Sequence, residues 1–355
     1  MIEKFKKNIP LSEFTTIELG GPAKYFFTAK TNQELIEVVK YSKSLGIRFF
    51  ILGGGSNVIF SDHGFDGVVI KNEIMGIDLI DHHEYIELVA DSGELWDQLV
   101  EKSVRMELTG VECLSGIPGT AGATPVQNVG AYGQEVSDTI TFVEVVDLET
   151  YEVKTFRSIE CMFSYRNSRF KDKDKSRFFI SKVGFRLSKL DEPCLKYEGL
   201  NKEIKSKHSN FDLMERELKL RTIRETVLAI RRMKSMVIDK NDPDSRSCGS
   251  FFTNPILNVS EFEKLKSDQS PELRSAPVYV NGSEVKIPAA WLIENSGFSR
   301  GFSINGAAIS SNHTLALVNK GTSSKKLLEL SLIIKDSVFK KFGIMLEPEP
   351  EIIIA

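Results

Sequence analysis

The sequence predicts an α+β fold in which short strands form sheets flanked by a few helices. Short segments rich in Val, Ile, Phe and Thr recur between turn residues, and apolar-periodic runs with helix-capping signals lie between them. The chain has 355 residues, of which 41% are hydrophobic. Because a single core rarely grows beyond roughly 250–300 residues, we expect two or three domains.

Helices are expected where capping signals adjoin apolar periodicity. Two capping boxes, each a Thr followed three residues later by a Glu, predict the starts of two helices at Thr31 and Thr222. The first should end near Gly46, and a third should stop at Gly343, because glycine suits the left-handed cap. The expected helices cover residues 31–45, 222–234 and 325–342.

Strands are expected in apolar segments separated by turn residues: 49–52, 67–70, 85–90, 141–147, 151–156 and 178–187. The first of these runs straight into a glycine loop at 53–57, as a buried strand that delivers a loop would. The polar, lysine-rich stretch around 194–200 indicates a linker or a mobile loop. The charged run 239–246 lacks the glycine and closing glutamate of a calcium loop, so we expect a solvated turn.

Composition excludes several classes of partner. The chain carries 46 Lys and Arg against 49 Asp and Glu, and its net charge of -3 gives no broad attraction for nucleic acid or anionic membranes. We find no secretory signal and no run of roughly 18 apolar residues, so we expect a cytoplasmic protein without membrane insertion. Its four cysteines show no metal-ligand spacing, so free thiols and no metal are expected.

Two glycine-rich loops, at 53–57 and 116–122, are candidate anion sites. Glycines let the backbone approach a pyrophosphate closely and present its N–H groups. Neither loop has the GxGxxG or the GxxxxGK[ST] pattern, which excludes Rossmann and P-loop sites. Taken alone, each loop also fits an ordinary tight turn.

Five motifs then carry a resemblance to a known family. They read GIPGTAG at 116–122, QNVGAYG at 127–133, YRNSRFK at 165–171, GSFFTNP at 249–255 and LEPE at 346–349. Together, in this order, they resemble the UDP-N-acetylenolpyruvoylglucosamine reductases (the MurB family, type I). The resemblance covers almost the whole chain.

This resemblance implies a two-lobed FAD-binding domain of the vanillyl-alcohol-oxidase type plus a smaller α/β substrate-binding domain. The implied boundaries are 1–73 for the first FAD lobe, 74–220 for the second, with a substrate-covering loop near 190–210, and 221–355 for the substrate domain. The FAD pyrophosphate should contact Gly53, Gly54, Gly55, Ser56, Asn57, Gly116, Ile117, Gly119, Thr120 and Gly122. The first loop reads GGGSNVIF, without His or Cys, so FAD should be non-covalent.

The implied activity converts UDP-N-acetyl-3-O-(1-carboxyvinyl)-glucosamine to UDP-N-acetylmuramate with NADPH, in peptidoglycan precursor synthesis. NADPH and the nucleotide sugar should occupy one pocket in turn, and a monomer is expected. An enol ether resists hydride unless the adjoining carboxylate is neutralised, so the site needs an electrophilic clamp. The carbon next to the carboxylate then needs a proton.

The resemblance assigns three catalytic residues. Arg166 should clamp the substrate carboxylate, because a planar guanidinium binds a carboxylate in fork geometry. Ser250 should protonate the enol intermediate, and Glu349 should stabilise it as a neutral hydrogen-bond donor. Here the chain departs from the family pattern, because a second Pro-Glu step makes Glu351 a rival to Glu349, and the arginine that often follows is missing.

Three more residues match substrate contacts of the family: Lys234 for the diphosphate, Tyr197 as a cover over the bound substrate, and Asn254. Two other functions stay open. A flavin oxidase of the same superfamily would not need Ser250 or the C-terminal glutamate. A catalytically silent nucleotide-binding protein would have damaged reactive positions, whereas Arg166, Ser250 and Glu349 are all present.

Overall fold

The computed structural model describes residues 2–268 and 270–354, and the chain divides into two compact units. The first unit holds the residues up to Ile9, Ala23–Gly55 and Asp66–Val237. The second holds Pro10–Pro22, Ser56–Phe65 and the residues from Ile238 onward. The expected three-part division and the ligand of each part stay a prediction.

The described helices are α1 Asn32–Ser44, α2 Trp96–Arg105, α3 Glu198–Lys207, α4 Arg216–Met233, α5 Val259–Asp268, α6 Ala289–Asn295 and α7 Ser324–Phe342. The strands are β1 Lys6–Pro10, β2 Pro22–Ala29, β3 Arg48–Leu52, β4 Val58–Phe60, β5 Phe65–Asn72, β6 Ile77–His82, β7 Tyr85–Asp91, β8 Gly130–Ala131, β9 Gln134–Glu135, β10 Ile140–Asp147, β11 Val153–Arg157, β12 Phe178–Ser188, β13 Ser247–Ser250, β14 Ile256–Asn258, β15 Tyr279–Asn281, β16 Glu284–Lys286, β17 Ser303–Ile304, β18 Ala307–Ile309, β19 Ala316–Asn319 and β20 Glu351–Ile353. None of these helices is both long enough and apolar enough to cross a bilayer.

Two sheets organise the first unit. One has the order β1-β2-β5-β3, and α1 packs its apolar face, including Leu35 and Val38, against Val68 of β5. The other has the order β11-β10-β12-β7-β6, is antiparallel throughout, and is covered by α2 through Trp96. A third apolar cluster joins α3 to α4.

The second unit is built on small sheets around one apolar core. Its sheets have the orders β13-β19-β18-β17, β14-β16-β15 and β20-β4, and only β20-β4 is parallel. Helix α7 buries Leu327, Leu330, Ile334, Val338 and Phe342 in that core. Its length and its buried face make α7 the main apolar contribution of the C-terminal segment.

Most of the expected elements are confirmed. Helix α1 begins as its capping box predicts, because Thr31 Oγ1 accepts a hydrogen bond from the Glu34 amide at 3.1 Å. Helix α7 ends at Gly343, which adopts the left-handed conformation with a φ of 68°. All six expected strands are present, with boundaries that differ by no more than two residues.

The helix start predicted from the second capping box is wrong. Helix α4 begins at Arg216, not at Thr222, which lies buried inside the helix. Its hydroxyl donates to Met214 Sδ at 3.8 Å instead of capping a backbone amide. The apolar face of α4 starts upstream, at Leu220, so tertiary packing continues the helix through the local capping pattern.

Two expected loops are also corrected. The stretch expected to be a linker contains helix α3, and Tyr197 stands at its N-cap position. In the run 239–246, Asp244 is buried rather than solvated. It forms an ion pair with Lys320 at 3.0 Å and accepts a hydrogen bond from the Ser310 hydroxyl at 3.0 Å, and these contacts offset its desolvation.

Candidate active site

The two glycine loops of the first unit pack directly on one another. A Cβ placed on Gly54 would lie 2.6 Å from Gly119 Cα, and one on Gly53 would lie 3.0 Å from Thr120 Oγ1. Gly55 and Gly119 also have positive φ values of 68° and 122°, which favour glycine. The two loops are therefore in direct contact, with no room for a side chain at Gly54.

The second glycine loop is held by a charged anchor. The Gly116 amide donates to Asp97 Oδ1 at 2.6 Å, and Asp97 forms a bidentate pair with Arg224 at 2.6 and 2.9 Å. Burial opposes ionisation of Asp97, but the hydrogen bonds from Arg224 and the Gly116 amide outweigh it and hold its pKa below the usual value. At the far end of the loop the Gly122 amide donates to Ser92 O at 3.0 Å.

The last two residues predicted for the first loop, Ser56 and Asn57, belong to the second unit. There Asn57 makes two hydrogen bonds to the C-terminal segment, one through its backbone carbonyl and one through its side chain. Its carbonyl accepts from the Glu351 amide at 2.9 Å, and its Nδ2 donates to Glu349 O at 3.2 Å. Asn57 thus positions the segment that carries both candidate glutamates.

Arg166 lies in the first unit, in a tight turn. The backbones of Ser164 and Asn167 exchange two hydrogen bonds of 3.1 Å across the turn, and Arg166 adopts a φ of 52°, which is uncommon for a residue with a side chain. Its guanidinium donates to Gly130 O at 2.6 Å and to Asn128 O at 3.5 Å. These carbonyls lie in the QNVGAYG motif, so two of the family motifs meet at Arg166.

Ser250 and Glu349 come from distant segments of the second unit that pair through their backbones. Ser250 is the last residue of β13. The pairing of β13 is irregular between Ser247 and Ser250, where Gly249 adopts a φ of 73°. The Phe251 carbonyl accepts from the Glu349 amide at 2.8 Å, and Thr253 donates to Glu347 O at 3.0 Å. Residue 349 is therefore held opposite the residue that follows Ser250.

The same pairing separates the two candidate glutamates. Glu349 bonds to Phe251, next to Ser250, whereas Glu351 bonds to Asn57 and begins β20, where it pairs with Val58. Both side chains are half-buried. The backbone partner of Phe251, the residue after Ser250, is thus Glu349, and which glutamate acts stays a prediction.

Tyr197 and Lys234 both lie in the first unit. The Tyr197 ring is 44% exposed and packs edge-on against Tyr132, with ring centroids 5.6 Å apart. Lys234 caps the C-terminal end of α4 and is half-buried. Burial and the nearby charge of Arg231 lower the pKa of Lys234.

Arg231, one turn before Lys234, is a further candidate that the sequence pattern did not indicate. Its Nε is buried and has no hydrogen-bond partner among the described residues, and it lies 3.4 Å from the position of a Cβ on Gly116. Burial lowers the pKa of Arg231, against the opposing effects of Tyr132 and Asp97. In sequence, nothing separates it from its exposed neighbour Arg232 in the basic helix end.

Asn254, in the second unit, has a contact that sequence reasoning did not anticipate. Its Oδ1 accepts a hydrogen bond from the Ala289 amide at 2.9 Å, at the first residue of α6. This bond satisfies one of the open donors at the helix start. Asn254 therefore supports the fold of its unit, whatever it binds.

Comparison with known proteins decides the family. The FAD binding domain model matches residues 23–156, and the model described as UDP-N-acetylenolpyruvoylglucosamine reductase, C-terminal domain, matches 241–353. The reductase of that name from Thermobifida fusca is 40% identical over 99% of this chain and 99% of its own length, and that from Streptomyces avermitilis is 42% identical over 96% and 93%. The chain belongs to the UDP-N-acetylenolpyruvoylglucosamine reductase family.

This membership confirms the resemblance, the enzyme class and the cofactor. Enzymes of the UDP-N-acetylenolpyruvoylglucosamine reductase family are FAD-dependent oxidoreductases of peptidoglycan precursor synthesis, with NADPH as reductant. The solved structure of the Thermus caldophilus reductase aligns with a TM-score of 0.67 at 24% identity, over 98% of this chain and 99% of the other. The expected α+β fold with an FAD-binding domain is confirmed.

Proposed function

We propose that the chain reduces the enolpyruvyl ether of UDP-N-acetylglucosamine to UDP-N-acetylmuramate, and that Ser250 protonates the carbon beside the carboxylate. The observation that supports this most is the backbone bond from the Glu349 amide to the Phe251 carbonyl at 2.8 Å. It brings the backbone of a carboxyl-bearing residue to within one residue of a half-buried serine, and we infer that the two side chains act on the same substrate.

The glycine loops fit the pyrophosphate of FAD. Gly54 lies against the Gly119 backbone with no room for a Cβ, and the backbone amides of such glycine-rich loops favour an anion. No His or Cys stands in the first loop, so FAD should be held without a covalent bond. When bound and reduced by NADPH, the flavin supplies the hydride for the β-carbon of the substrate.

Arg166 should neutralise the substrate carboxylate. Its guanidinium is oriented by the carbonyls of Asn128 and Gly130, so little reorganisation is needed when an anion arrives. The uncommon backbone conformation at Arg166 is consistent with a position selected for function. A neutralised carboxylate accepts the charge that develops as hydride reaches the double bond.

Ser250 and Glu349 should complete the addition. An enolate is a strong base, so a weak acid such as the Ser250 hydroxyl suffices when competing water is kept out. A neutral Glu349 carboxyl would donate a hydrogen bond to the developing enolate oxygen. We assign this role to Glu349 rather than Glu351, because the Glu349 amide bonds to the Phe251 carbonyl next to Ser250, whereas Glu351 begins β20 and pairs with Val58.

The nucleotide sugar should be held by Lys234, Tyr197 and Asn254. Lys234, half-buried at the end of α4, offers positive charge for the diphosphate, and the half-buried Arg231 adds a second cation on that helix. Tyr197 would cover the bound substrate. We further propose a monomer that acts in the cytoplasm, where UDP-sugars and NADPH are available.

Separate half-reactions test this function. The purified protein should be yellow, should be bleached by NADPH under anaerobic conditions, and should regain its colour rapidly when the enolpyruvyl nucleotide is added. Rapid recovery with oxygen but not with the nucleotide would indicate a flavin oxidase. A colourless protein that binds the nucleotide would indicate a silent binding protein.

A further inference from the structure

Two cysteines that are 81 residues apart in sequence meet inside the first unit. Cys113 lies in the turn Glu112–Leu114, just before the second glycine loop, and Cys194 lies three residues before Tyr197. Cys113 Sγ donates to Cys194 O at 3.3 Å, and the Cys194 amide donates to Glu112 Oε1 at 2.8 Å. All four cysteines of the chain are free thiols in the structure.

The two thiols differ in exposure and in acidity. Cys113 is fully buried, whereas Cys194 is half-exposed. A side-chain hydrogen bond with Cys113 lowers the pKa of Cys194 to about 6. The Lys196 amide also lowers this pKa, whereas burial opposes the shift. The same bond, together with burial and the Glu112 charge, raises the pKa of Cys113.

We propose that Cys113 and Cys194 form a reversible disulfide, with Cys194 as the thiol that reacts first. An exposed nucleophile backed by a buried thiol is the arrangement that yields a disulfide rather than stable overoxidation. A reversible bond is also the kind expected in a reducing compartment. No other pair of cysteines shares a contact among the described residues.

The oxidant is a hydroperoxide such as hydrogen peroxide. The Cys194 thiolate attacks one oxygen, an S–O bond forms as the O–O bond breaks, and the released hydroxide takes up a proton to become water. Cys113 then attacks the sulfur of the Cys194 sulfenic acid. The S–S bond forms as the S–O bond breaks, and the Cys113 proton leaves with the hydroxyl as a second water. The two sulfurs together lose two electrons, which the peroxide gains.

Peptide mapping of the full-length holoenzyme tests the bond directly. Reduced enzyme is treated with equimolar hydrogen peroxide, alkylated and digested without reductant. We expect a cross-linked peptide pair containing Cys113 and Cys194, a fall from four free thiols to two, and full recovery with dithiothreitol. Four remaining thiols, or a different cross-linked pair, would overturn the proposal.

Variants identify which thiol reacts first. In Cys113→Ala the sulfenic acid cannot be resolved, so dimedone should label Cys194, while buried Cys161 stays unlabelled. The matched control, Cys161→Ser, should still form the cross-link. Because the thiolate is the reactive form, alkylation of wild-type Cys194 should rise with pH around a midpoint of about 6. A midpoint near the ordinary thiol pKa of about 8.5 would mean that Cys194 is not the thiol that reacts first.

A consequence for substrate binding follows, and it rests on the proposed role of Tyr197. A disulfide at Cys194 would fix the segment that leads to Tyr197, so oxidised enzyme should bind the nucleotide sugar roughly ten-fold more weakly with unchanged FAD content. Peroxide should have no such effect on Cys194→Ser. Unchanged affinity in enzyme with a confirmed cross-link would show that the disulfide does not act on Tyr197. A reduced enzyme that fails to bind the nucleotide sugar would instead contradict the proposed function.

Discussion

The glycine loops of the first unit and the Ser250 segment of the second unit build their surfaces in opposite ways. In the loops, geometry comes from missing side chains, because Gly54 and Gly119 approach too closely for any Cβ. In the second unit, the local structure comes from backbone pairing, because the Glu349 amide bonds to the carbonyl of Phe251, the residue after Ser250. We therefore expect substitutions in the loops to affect cofactor retention and substitutions in the second unit to affect chemistry alone.

The largest expected effect separates chemistry from cofactor binding at Ser250. Ser250→Ala should retain FAD, and NADPH should reduce it at close to the wild-type rate. Reoxidation by the enolpyruvyl nucleotide should fall by roughly 10²–10⁴-fold, as is typical when a general acid is lost. Anaerobic stopped-flow absorbance measures both half-reactions.

Two variants control for a merely structural serine. Ser250→Cys keeps a transferable proton and should recover part of the loss. Ser247→Ala removes a buried hydroxyl from the same strand, one that accepts from the Gly249 amide at 3.1 Å, and it should leave both half-reactions intact. Equal slowing of both halves in Ser250→Ala would remove this serine from the chemistry.

The second expected effect tests which glutamate acts. Glu349→Ala should slow reoxidation by on the order of 10²-fold, because a preorganised stabiliser of the enolate is lost. Glu349→Gln should be milder, since the amide still donates a hydrogen bond. Glu351→Gln, at the start of β20, is the matched control. If only the Glu351 variant is slow in single-turnover reoxidation, the assignment must be exchanged.

Local patterns predicted the elements whose signals lie within a few residues of one another. The strand before the first glycine loop, the cap at Thr31 and the stop at Gly343 are all of this kind. The capping pattern at Thr222 failed because the apolar contacts of α4 extend upstream of it. Local capping was outweighed there by packing.

Long-range partners explain what could not be predicted. Asp244 is buried because Ser310 and Lys320, far along the chain, fold onto it. The bond between Phe251 and Glu349 also joins residues remote in sequence, so only the family resemblance pointed to a shared role for Ser250 and Glu349, which stays a proposal. Arg231 has no distinguishing signal in sequence, because its burial depends on the packing of α4 beside Gly116.

A third prediction concerns the glycine loops. Gly54→Ala places a Cβ 2.6 Å from the Gly119 backbone, so we expect overpacking of about 1–3 kcal/mol and loss of FAD during purification. Gly53→Ala is the comparison variant, because its Cβ would meet side-chain atoms, the Thr120 hydroxyl at 3.0 Å and the Ala123 methyl at 3.9 Å, rather than backbone. FAD content per chain and thermal unfolding measure both variants. Equal FAD retention in the two would contradict the role of close backbone contact.

The smallest expected effect concerns Tyr197, whose ring stays 44% exposed and contacts Tyr132. A covering residue contributes by burying the substrate, so Tyr197→Ala should raise the KM for the nucleotide sugar roughly ten-fold with little change in FAD content. Tyr197→Phe keeps the ring contact and separates covering from hydrogen bonding by the hydroxyl. Tyr279→Ala, which removes another exposed tyrosine, should leave the KM unchanged. Because Tyr197 belongs to neither glycine loop nor the Ser250 segment, its loss should resemble neither the loop variants nor the serine variant. An unchanged KM in Tyr197→Ala would exclude this residue from the substrate site.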